Sequence, residues 1–447
     1  MGKLFGTAGV RGVYGVEIDE KLALDFGRSV ARVLSSADVV VGWDGRLSSP
    51  SLSSAVIAGV LAEGKNVRVL GLAPMPVACR ASMKQGTPGV YVTASHNPPE
   101  YNGLKALMGD GSEATRDVEE RIEHEIGALS RPKLPERAPA VLPSGYGVAE
   151  YLRDLLSSSA SVGGQRVVAD PGNGCASDIA PRVLSEMGLN VISVNNWVDG
   201  RFPMRPSEPT AGNLRGLSEM VLRMDADYGI AWDGDADRVA LIDGRGRFVP
   251  QYAVSSLVAL ALRAKRAIVS VDMGWGLRDL LEREGGEVVV WRLGDLHSEY
   301  KRRLKAGWSA DLVTEPWKIM VPEWGPYFDG IKAAALVAQT IHEFGSLELA
   351  LEAVPKYYQE RMSFKVSGDR FAIFARVTET LEKELSSQVR EVDRLDGVKL
   401  ILEDAWMLIR VSGTEPKIRV YVEASTDERK RELSSLAVKV LREAGVA

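Results

Sequence analysis

The sequence predicts an α/β protein in which three related α/β domains precede a smaller α+β domain. Three segments share the order strand, glycine-containing loop, helix and strand; they begin at Asp38, Gln165 and Arg266. This order is the βαβ unit, which implies parallel pairing and a right-handed crossover. The 447 residues also exceed what one hydrophobic core usually serves. We therefore predict four domains, at 1–145, 146–250, 251–360 and 361–447.

Each of the three repeats is justified by its own residues. A short β-branched run opens each one, as is typical of a buried strand, and a helix with apolar residues at helical spacing follows. Gly64, Gly188 and Gly285 stand where the helices are expected to end, which suits left-handed C-caps. The wide separation of the repeats favours three domains over a short-period solenoid.

The last part of the chain has a different pattern. From about Arg361, strand-like segments surround a turn, and the chain closes on an amphipathic helix. We expect an α+β domain there.

Composition excludes several classes of protein. Hydrophobic residues at 45% and charged residues at 26% are typical of a soluble globular protein. The net charge of −5 argues against nucleic-acid binding, because phosphate-backbone affinity needs a basic surface. There is no bilayer-length apolar run, secretory signal or cysteine pattern for disulfides or zinc. We expect a cytoplasmic protein that binds neither nucleic acid nor membrane.

The first motif with chemical character is YVTASHNPPEYNG. Ser95 follows a strand-like run, and Pro98 and Pro99 then prevent a helix from starting. His96 and Asn97 can hydrogen-bond the serine hydroxyl or a group attached to it. The alternative is a polar turn whose serine caps its own backbone.

The second motif, DGDADR, places three carboxylates in the turn between two apolar strands. Asp233, Asp235 and Asp237 alternate, so in an extended segment their side chains face one way. Such a group repels itself unless it is protonated or bound to a cation, and oxygen ligands suit magnesium. Arg238 follows directly, and a metal beside a cation is what a phosphoryl group requires. The alternative is an acidic, solvated hairpin.

The third motif, IRVSGTEPKIRVYVEA, has the residues of an anion cradle. Ser412, Gly413 and Thr414 form a predicted tight turn with backbone donors and two hydroxyls. Arg410 and Arg419 can direct guanidinium groups to the same place. A β-turn with ordinary surface cations is the alternative.

Together the motifs resemble those of the α-D-phosphohexomutase superfamily of phosphoglucomutases, phosphomannomutases and phosphoglucosamine mutases. GTAGVRG, VGWDGR, TASHNPPEYNGLK, DGDADR and RVSGTEP occur in the family's order over nearly the whole chain. The resemblance implies four domains around a central cleft. The first three would share a mixed sheet with helices on both faces.

The resemblance also implies a magnesium-dependent phosphosugar mutase. Such an enzyme moves a phosphoryl group between the 1-position and the terminal hydroxyl of an aldose phosphate, through a phosphoserine and a sugar bisphosphate that serves as activator. Ser95 would carry the phosphoryl group, and magnesium would be held by one of its oxygens and by Asp233, Asp235 and Asp237.

Other roles are implied by position in the motifs. Arg238 and His96 would lie beside the phosphoserine, while Lys105 and Arg11 would act as general acid and base. The second phosphate would be gripped by Arg410, Ser412, Gly413, Thr414 and Arg419. The partner would be a small sugar phosphate, and the protein a monomer or homodimer.

One segment departs from the family pattern. The family usually has Gly-Glu-x-Ser-Gly-His in its third domain, where this chain has LVTEPWKIMVPEWGPYFDG at 312–330. Glu315 can take the glutamate's place, but Trp317 and Lys318 replace small residues. Trp317 and Trp324 could contact a sugar ring and Lys318 a phosphate, or these residues could fill a lost pocket. The signature motifs favour glucose or mannose phosphate, and pentose and glucosamine phosphates stay open.

Two readings from other functional classes remain. A non-catalytic homologue would keep the cleft and act as a sugar-phosphate sensor, and only the altered segment 312–330 supports it. A phosphatase would use Asp233 as an aspartyl nucleophile, but it leaves the SHNPPEYNG and SGTEP motifs without roles.

Overall fold

The fold comprises four sheets that follow one another along the chain. The computed structural model describes residues 4–6, 9–132, 137–412 and 416–446. The sheets have six, four, four and five strands, and helices connect them. The predicted α/β class is confirmed, whereas the exact domain limits stay a prediction.

The first sheet is mixed. Its strands are β1 (Val10–Val13), β2 (Asp38–Trp43), β3 (Asn66–Leu72), β4 (Gly89–Val92), β5 (Tyr101–Leu107) and β6 (Val141–Pro143), in the order β1-β5-β4-β2-β3-β6. Its helices are α1 (Glu20–Val33), α2 (Ser49–Ala62), α3 (Met75–Gln85) and α4 (Arg116–Ala128). β2 is parallel to β3 and β4, whereas β5 runs antiparallel to β4 and β1.

The second sheet ends in an antiparallel hairpin. Its strands are β7 (Arg166–Asp170), β8 (Asn190–Ser193), β9 (Tyr228–Trp232) and β10 (Val239–Asp243), in the order β10-β9-β7-β8. The accompanying helices are α5 (Val148–Ser157), α6 (Ala180–Glu186) and α7 (Arg215–Arg223).

The third sheet also ends in a hairpin. Its strands are β11 (Arg266–Ser270), β12 (Glu287–Trp291), β13 (Leu312–Glu315) and β14 (Lys318–Met320), in the order β12-β11-β13-β14. The accompanying helices are α8 (Gln251–Leu262), α9 (Trp275–Arg283), α10 (Leu296–Lys305), α11 (Gly330–Phe344) and α12 (Leu347–Glu352).

The fourth sheet is antiparallel throughout. Its strands are β15 (Tyr358–Lys365), β16 (Glu391–Asp393), β17 (Val398–Ile401), β18 (Ala405–Val411) and β19 (Lys417–Ala424), in the order β15-β19-β18-β17-β16. Helices α13 (Arg370–Glu384) and α14 (Asp427–Glu443) pack against it.

The three predicted βαβ units are confirmed. β2-α2-β3, β7-α6-β8 and β11-α9-β12 each join parallel neighbours. Gly64, Gly188 and Gly285 each follow a helix end with positive φ, as expected for C-caps.

The hydrophobic core makes the first three sheets one packed unit. A single cluster of buried side chains includes Val40, Val167 and Ala267, one from each of these sheets. The fourth sheet has its own core, and a smaller cluster containing Val271 and Trp406 joins it to the third. Within the described ranges no helix has the length and apolar character needed to cross a membrane.

Candidate active site

Ser95 lies in a turn just beyond β4, at the edge where the second sheet meets the first. It is buried and has a left-handed backbone, with φ +50°. Its Oγ donates a hydrogen bond to Oδ2 of Asp233 at 2.8 Å, and its amide donates to Thr93 Oγ1 at 2.7 Å. The fold thus joins the first predicted motif to the second.

A buried arginine holds the backbone of the serine turn, and the sequence analysis assigned it no role. The Arg46 guanidinium donates to four carbonyl oxygens, those of Ser95 at 2.8 Å, Asn97 at 2.7 Å, Pro98 at 2.6 Å and Tyr101 at 2.9 Å. Its Nε also donates to Oδ2 of Asp44 at 3.0 Å. The motif VGWDGR contained this residue, but its partners lie about fifty positions away in the chain and only the fold brings them together.

The three aspartates lie in the turn between β9 and β10 and crowd together, as the sequence predicts. The turn itself is not extended, however. It is closed by the pairing of Trp232 with Val239, and Ala236 has φ +65°. A hairpin this short must reverse direction, so the carboxylates converge through the turn. Their ligand atoms lie within 4.8 Å of one another, and all three residues are buried. We call Asp233, Asp235 and Asp237 the aspartate triad.

The three carboxyl groups of the triad differ in the direction of their pKa shifts. Burial and repulsion from the neighbouring carboxylates raise the pKa of Asp233 and Asp235. Burial would also raise the pKa of Asp237, but the nearby Lys318 and Lys105 lower it below its ordinary value.

The triad fits a hard divalent cation. Oδ1 of Asp235 and both carboxylate oxygens of Asp237 have no hydrogen-bond partner among the described residues, although Oδ2 of Asp237 forms an ion pair with Lys318. Orphaned carboxylate oxygens that converge in a buried turn are ligands that magnesium prefers.

Basic groups surround the serine and the triad. The Arg238 amide donates to Oδ1 of Asp233 at 3.1 Å, and its Nη1 donates to Glu208 at 2.8 Å. Nη1 of Arg11 donates to Oδ1 of Asn97 at 3.0 Å. Burial lowers the pKa of Arg11 below its ordinary value.

His96 is close to these cations and is kept neutral. Burial, with the charges of Arg238 and Arg11, lowers the pKa of His96 well below its usual range. Its Nδ1 is buried and has no hydrogen-bond partner in the described parts of the chain. It is therefore suited to hydrogen-bond an attached or transferred group.

Lys105 lies between two carboxylates on the inner side of the site. Its Nζ is 3.4 Å from Oε2 of Glu113 and 3.7 Å from Oδ2 of Asp237. Burial opposes ionisation of Glu113, but Lys105 and Lys318 lower its pKa to about 2. Sequence analysis missed Glu113, because nothing in its local sequence marks it as facing the site.

The β13–β14 hairpin contains the residues that depart from the family pattern. Glu315 is buried, and its Oε2 accepts a hydrogen bond from the Gly294 amide at 3.1 Å. Burial raises the pKa of Glu315. Trp317 occupies the turn at φ +70°, and its indole Nε1 donates to the Pro209 carbonyl at 3.2 Å. The Arg361 guanidinium lies over its ring at 5.3 Å.

Both tryptophans of this segment have packing roles. Trp317 packs against a small core of the second sheet. Trp324 donates to Oδ2 of Asp329 at 2.8 Å, while the Arg80 guanidinium covers its ring at 3.4 Å.

Lys318 reaches the aspartate triad. Its Nζ lies 3.0 Å from Oδ2 of Asp237, and the residue is only 5% exposed. Burial would lower the pKa of Lys318, but Asp237, Glu113 and Glu315 raise it above its ordinary value. The sequence analysis expected this lysine at a substrate phosphate; the structure pairs it with an expected metal ligand.

The predicted anion cradle lies at the end of the β18–β19 hairpin. Arg410 and Arg419 face each other directly across the two strands, and like charges so placed are unfavourable without an anion or counter-ion. Nη2 of Arg410 pairs with Asp396 at 2.8 Å, whereas its Nε is buried without a hydrogen-bond partner among the described residues. The Ser412 amide donates to the Lys417 carbonyl at 2.9 Å. Gly413 and Thr414 lie outside the described residues.

Comparisons with known proteins identify relatives over nearly the whole chain. Residues 2–132, 149–246 and 372–439 match the family models described as phosphoglucomutase/phosphomannomutase alpha/beta/alpha domain I, alpha/beta/alpha domain II and C-terminal domain. The chain is 36% identical over 443 residues to the phosphopentomutase of Thermococcus kodakarensis, covering 97% of each protein. It is also 36% identical over 451 residues to a probable phosphoglucosamine mutase of Thermococcus gammatolerans, covering 99% of each.

Solved structures show the same architecture. A phosphoglucomutase/phosphomannomutase family protein from Burkholderia thailandensis superimposes with a TM-score of 0.83 at 24% identity, covering 98% of this chain and 97% of that one. This likeness concerns the fold, whereas the identity to the Thermococcus proteins concerns the sequence. Model matches, relatives and fold agree, and the chain belongs to the α-D-phosphohexomutase superfamily.

Proposed function

We propose that the protein is a phosphosugar mutase that transfers a phosphoryl group between Ser95 and an aldose phosphate. The observation that carries the proposal is the 2.8 Å contact between the Ser95 hydroxyl and Asp233 of the buried triad. A serine at that place is both a phosphoryl acceptor and a neighbour of the cation site. The homologues and matched domains support an isomerase of this kind.

The triad and an oxygen of the phosphorylated Ser95 would hold magnesium, which would neutralise charge on the transferred group. The chain's own residues do the remaining work. The guanidinium of Arg238, whose Nε lies 3.8 Å from Oδ2 of Asp233, would face the transferred group, and the His96 imidazole would offer it a hydrogen bond. In-line transfer gains most from such positioning and fixed charge.

Proton movement is assigned to Lys105, with Arg11 as its counterpart. As the sugar hydroxyl oxygen bonds to phosphorus, the bond from phosphorus to Ser95 Oγ breaks, and Lys105 takes up or returns the hydroxyl proton. Glu113, 3.4 Å from the ammonium, supplies its counter-charge.

The anion cradle is proposed to hold the phosphate that is not being transferred. The buried Nε of Arg410, which has no hydrogen-bond partner among the residues that the structure describes, is a donor for such an anion. Arg419, Ser412, Gly413 and Thr414 belong to the same proposed site. The bisphosphate then turns, so that its other phosphoryl group returns to Ser95. The cradle must accept the sugar in both orientations.

We propose glucose or mannose phosphate as the substrate, and ribose and glucosamine phosphates are the alternatives. Relatives of similar identity are named phosphopentomutase, probable phosphoglucosamine mutase and phosphoglucomutase/phosphomannomutase. Because Trp317 and Lys318 form packing and ionic contacts, Glu315 is the residue of the hairpin that we propose to meet sugar hydroxyls. A cytoplasmic location and a monomeric or homodimeric state are proposed with it.

The test follows phosphorus NMR signals of the protein with magnesium and a trace of sugar bisphosphate. The substrates are the 1-phosphates of glucose, mannose, glucosamine and ribose. We expect conversion of at least one, and a loss of more than about a thousandfold in Ser95→Ala. Ser82→Ala, which alters a buried serine of α3, is the matched control and should keep its activity.

Two results would contradict the proposal. Full turnover by Ser95→Ala would assign the nucleophile elsewhere and favour the Asp233 phosphatase. Silence with all four sugars, with phosphate demonstrably on Ser95, would favour the sugar-phosphate sensor.

A further inference from the structure

The ammonium of Lys318 contacts Asp237, a carboxylate that is expected to bind the divalent ion. This ammonium lies 3.0 Å from Oδ2 of Asp237, closer than Lys105 at 3.7 Å or Arg238 Nε, which is 3.9 Å from Oδ1. The other two carboxylates have different partners. Asp233 accepts from Ser95 and Arg238, and Asp235 accepts from Thr93 at 3.1 Å. Asp237 is therefore the member of the triad that lysine neutralises.

The backbone fixes Lys318 beside the triad. It pairs with Glu315 across the β13–β14 hairpin and forms a bridge to Arg238, the residue that follows the triad. The Val239 amide adds a hydrogen bond to the Trp317 carbonyl at 2.9 Å. At Lys318, therefore, the third sheet is joined to the turn of the second sheet that contains the aspartate triad.

The ammonium has a second partner besides Asp237. The ammonium also lies 5.2 Å from the centre of the Phe328 ring, within the range of a cation–π contact. Four flexible carbons join it to the fixed backbone, so it can turn from Asp237 towards that ring. A divalent ion held by Asp237 would repel the ammonium and favour this movement.

We propose that Lys318 is a resident counter-ion of the triad that competes with the divalent cation for Asp237 and so lowers the affinity of the protein for metal. In the metal-free protein it neutralises Asp237. On metal binding it gives up Asp237 and turns towards the Phe328 ring. The cation site belongs to the proposed function, whereas the competition for Asp237 does not require the transfer step.

The test measures binding of Mn²⁺ to the metal-free, dephosphorylated protein by electron paramagnetic resonance, without substrate. Lys318→Met and Lys318→Gln remove the charge, and we expect each to bind Mn²⁺ about tenfold or more tightly than wild type. Lys318→Arg keeps the charge and should stay within roughly threefold of wild type. Lys301→Met removes a lysine of the same domain that pairs with Asp110, and should also leave Mn²⁺ affinity unchanged.

Each result has a defined meaning once cooperative melting shows that a variant is folded. Unchanged or weaker Mn²⁺ binding by a folded neutral variant at position 318 would overturn the proposal. Equal tightening in Lys301→Met would also overturn it, because the effect would then come from net charge. Using both Met and Gln keeps the test decisive if one neutral variant fails to fold. Failure of all four sugars to react would count against the mutase and would leave the Mn²⁺ result standing.

Discussion

At the scale of the residue, Trp317 has a backbone conformation that its side chain disfavours. Its φ of +70° follows Pro316 in a tight turn where glycine is the usual residue. Trp317→Gly and Trp317→Ala both lose the packing of the indole. The positive φ is unfavourable for alanine but not for glycine. We expect the glycine variant to be more stable than the alanine variant by about 1 kcal/mol, measured as the free energy of unfolding in urea.

Within a helix, substitution by glycine and by alanine should give the opposite order of stability. Lys439 lies on the exposed face of α14, and there alanine should be more stable than glycine by about 1 kcal/mol. If alanine is also the more stable residue at position 317, the backbone there is not strained.

His297 gives the stability a dependence on pH. Burial lowers its pKa to about 4, while an unfolded histidine titrates near 6.5. The unfolded chain therefore binds more protons between these values, so this contribution is complete above about pH 6.5 and is lost as the pH falls towards 4. The free energy of unfolding of His297→Gln, taken relative to that of wild type, should be roughly 2 kcal/mol more favourable at pH 4.5 than at pH 7. Chemical unfolding at the two pH values measures it. An equal difference at both would show that the imidazole is not shielded.

Single residues also show what the sequence could reveal about the site. Ser95 and the aspartates could be predicted, because each motif concentrates one chemistry in a few positions. Glu113 and Arg46 could not, since their partners come from distant parts of the chain. Lys318 was recognised as a departure from the pattern, but its partner depends on how two sheets meet.

At the scale of the element, the serine turn depends on Arg46. A lysine can satisfy few of its five acceptors, and the remainder would be buried without donors. We expect Arg46→Lys to lose about 3 kcal/mol of unfolding free energy and most of the phosphorylation of Ser95 by sugar bisphosphate, followed by mass spectrometry.

Arg68→Lys provides the matched control for that substitution. Arg68 pairs with Asp38 at 2.6 Å on a partly exposed surface, where the loss should stay below about 1 kcal/mol. Equal losses at both positions would mean that the carbonyl contacts of Arg46 contribute little.

Regular elements could be predicted better than turns. The βαβ units follow from apolar runs and terminal glycines, which act locally. The turn that holds the three aspartates could be predicted, but its backbone could not, because the alternating aspartates suggested extended geometry. The left-handed Ala236 reverses the chain there, and no local signal in an alanine predicts that conformation.

At the scale of the whole molecule, the residues of the proposed anion cradle belong to a sheet with a separate core. Lys399 donates to the Val271 carbonyl at 2.8 Å and Glu423 accepts from the Trp275 amide at 2.7 Å, which docks this sheet on the third. A mutase needs its cradle to serve two substrate orientations. In a Ser95→Ala background, we expect Arg410→Gln to weaken binding of both the 1-phosphate and the terminal phosphate of the reacting sugar by roughly tenfold, measured by calorimetry.

Arg390→Gln is the control for that experiment. Arg390 is an exposed arginine of the same domain, paired with Glu403, and its loss should leave both affinities unchanged. Weakening of one sugar phosphate alone would contradict a cradle shared by both orientations.

The bridge between Lys318 and Arg238 has a consequence for how such a protein can change over evolutionary time. The hairpin proposed to meet the sugar and the turn proposed to hold the metal share one backbone contact and one ion pair. The effect of a mutation in the hairpin therefore depends on the sequence of the turn, and the reverse is also true. This is epistasis with a structural cause. A hairpin grafted from a relative that lacks this lysine would bring a new sugar preference together with a new demand for metal, and the two traits would have to be selected as a pair.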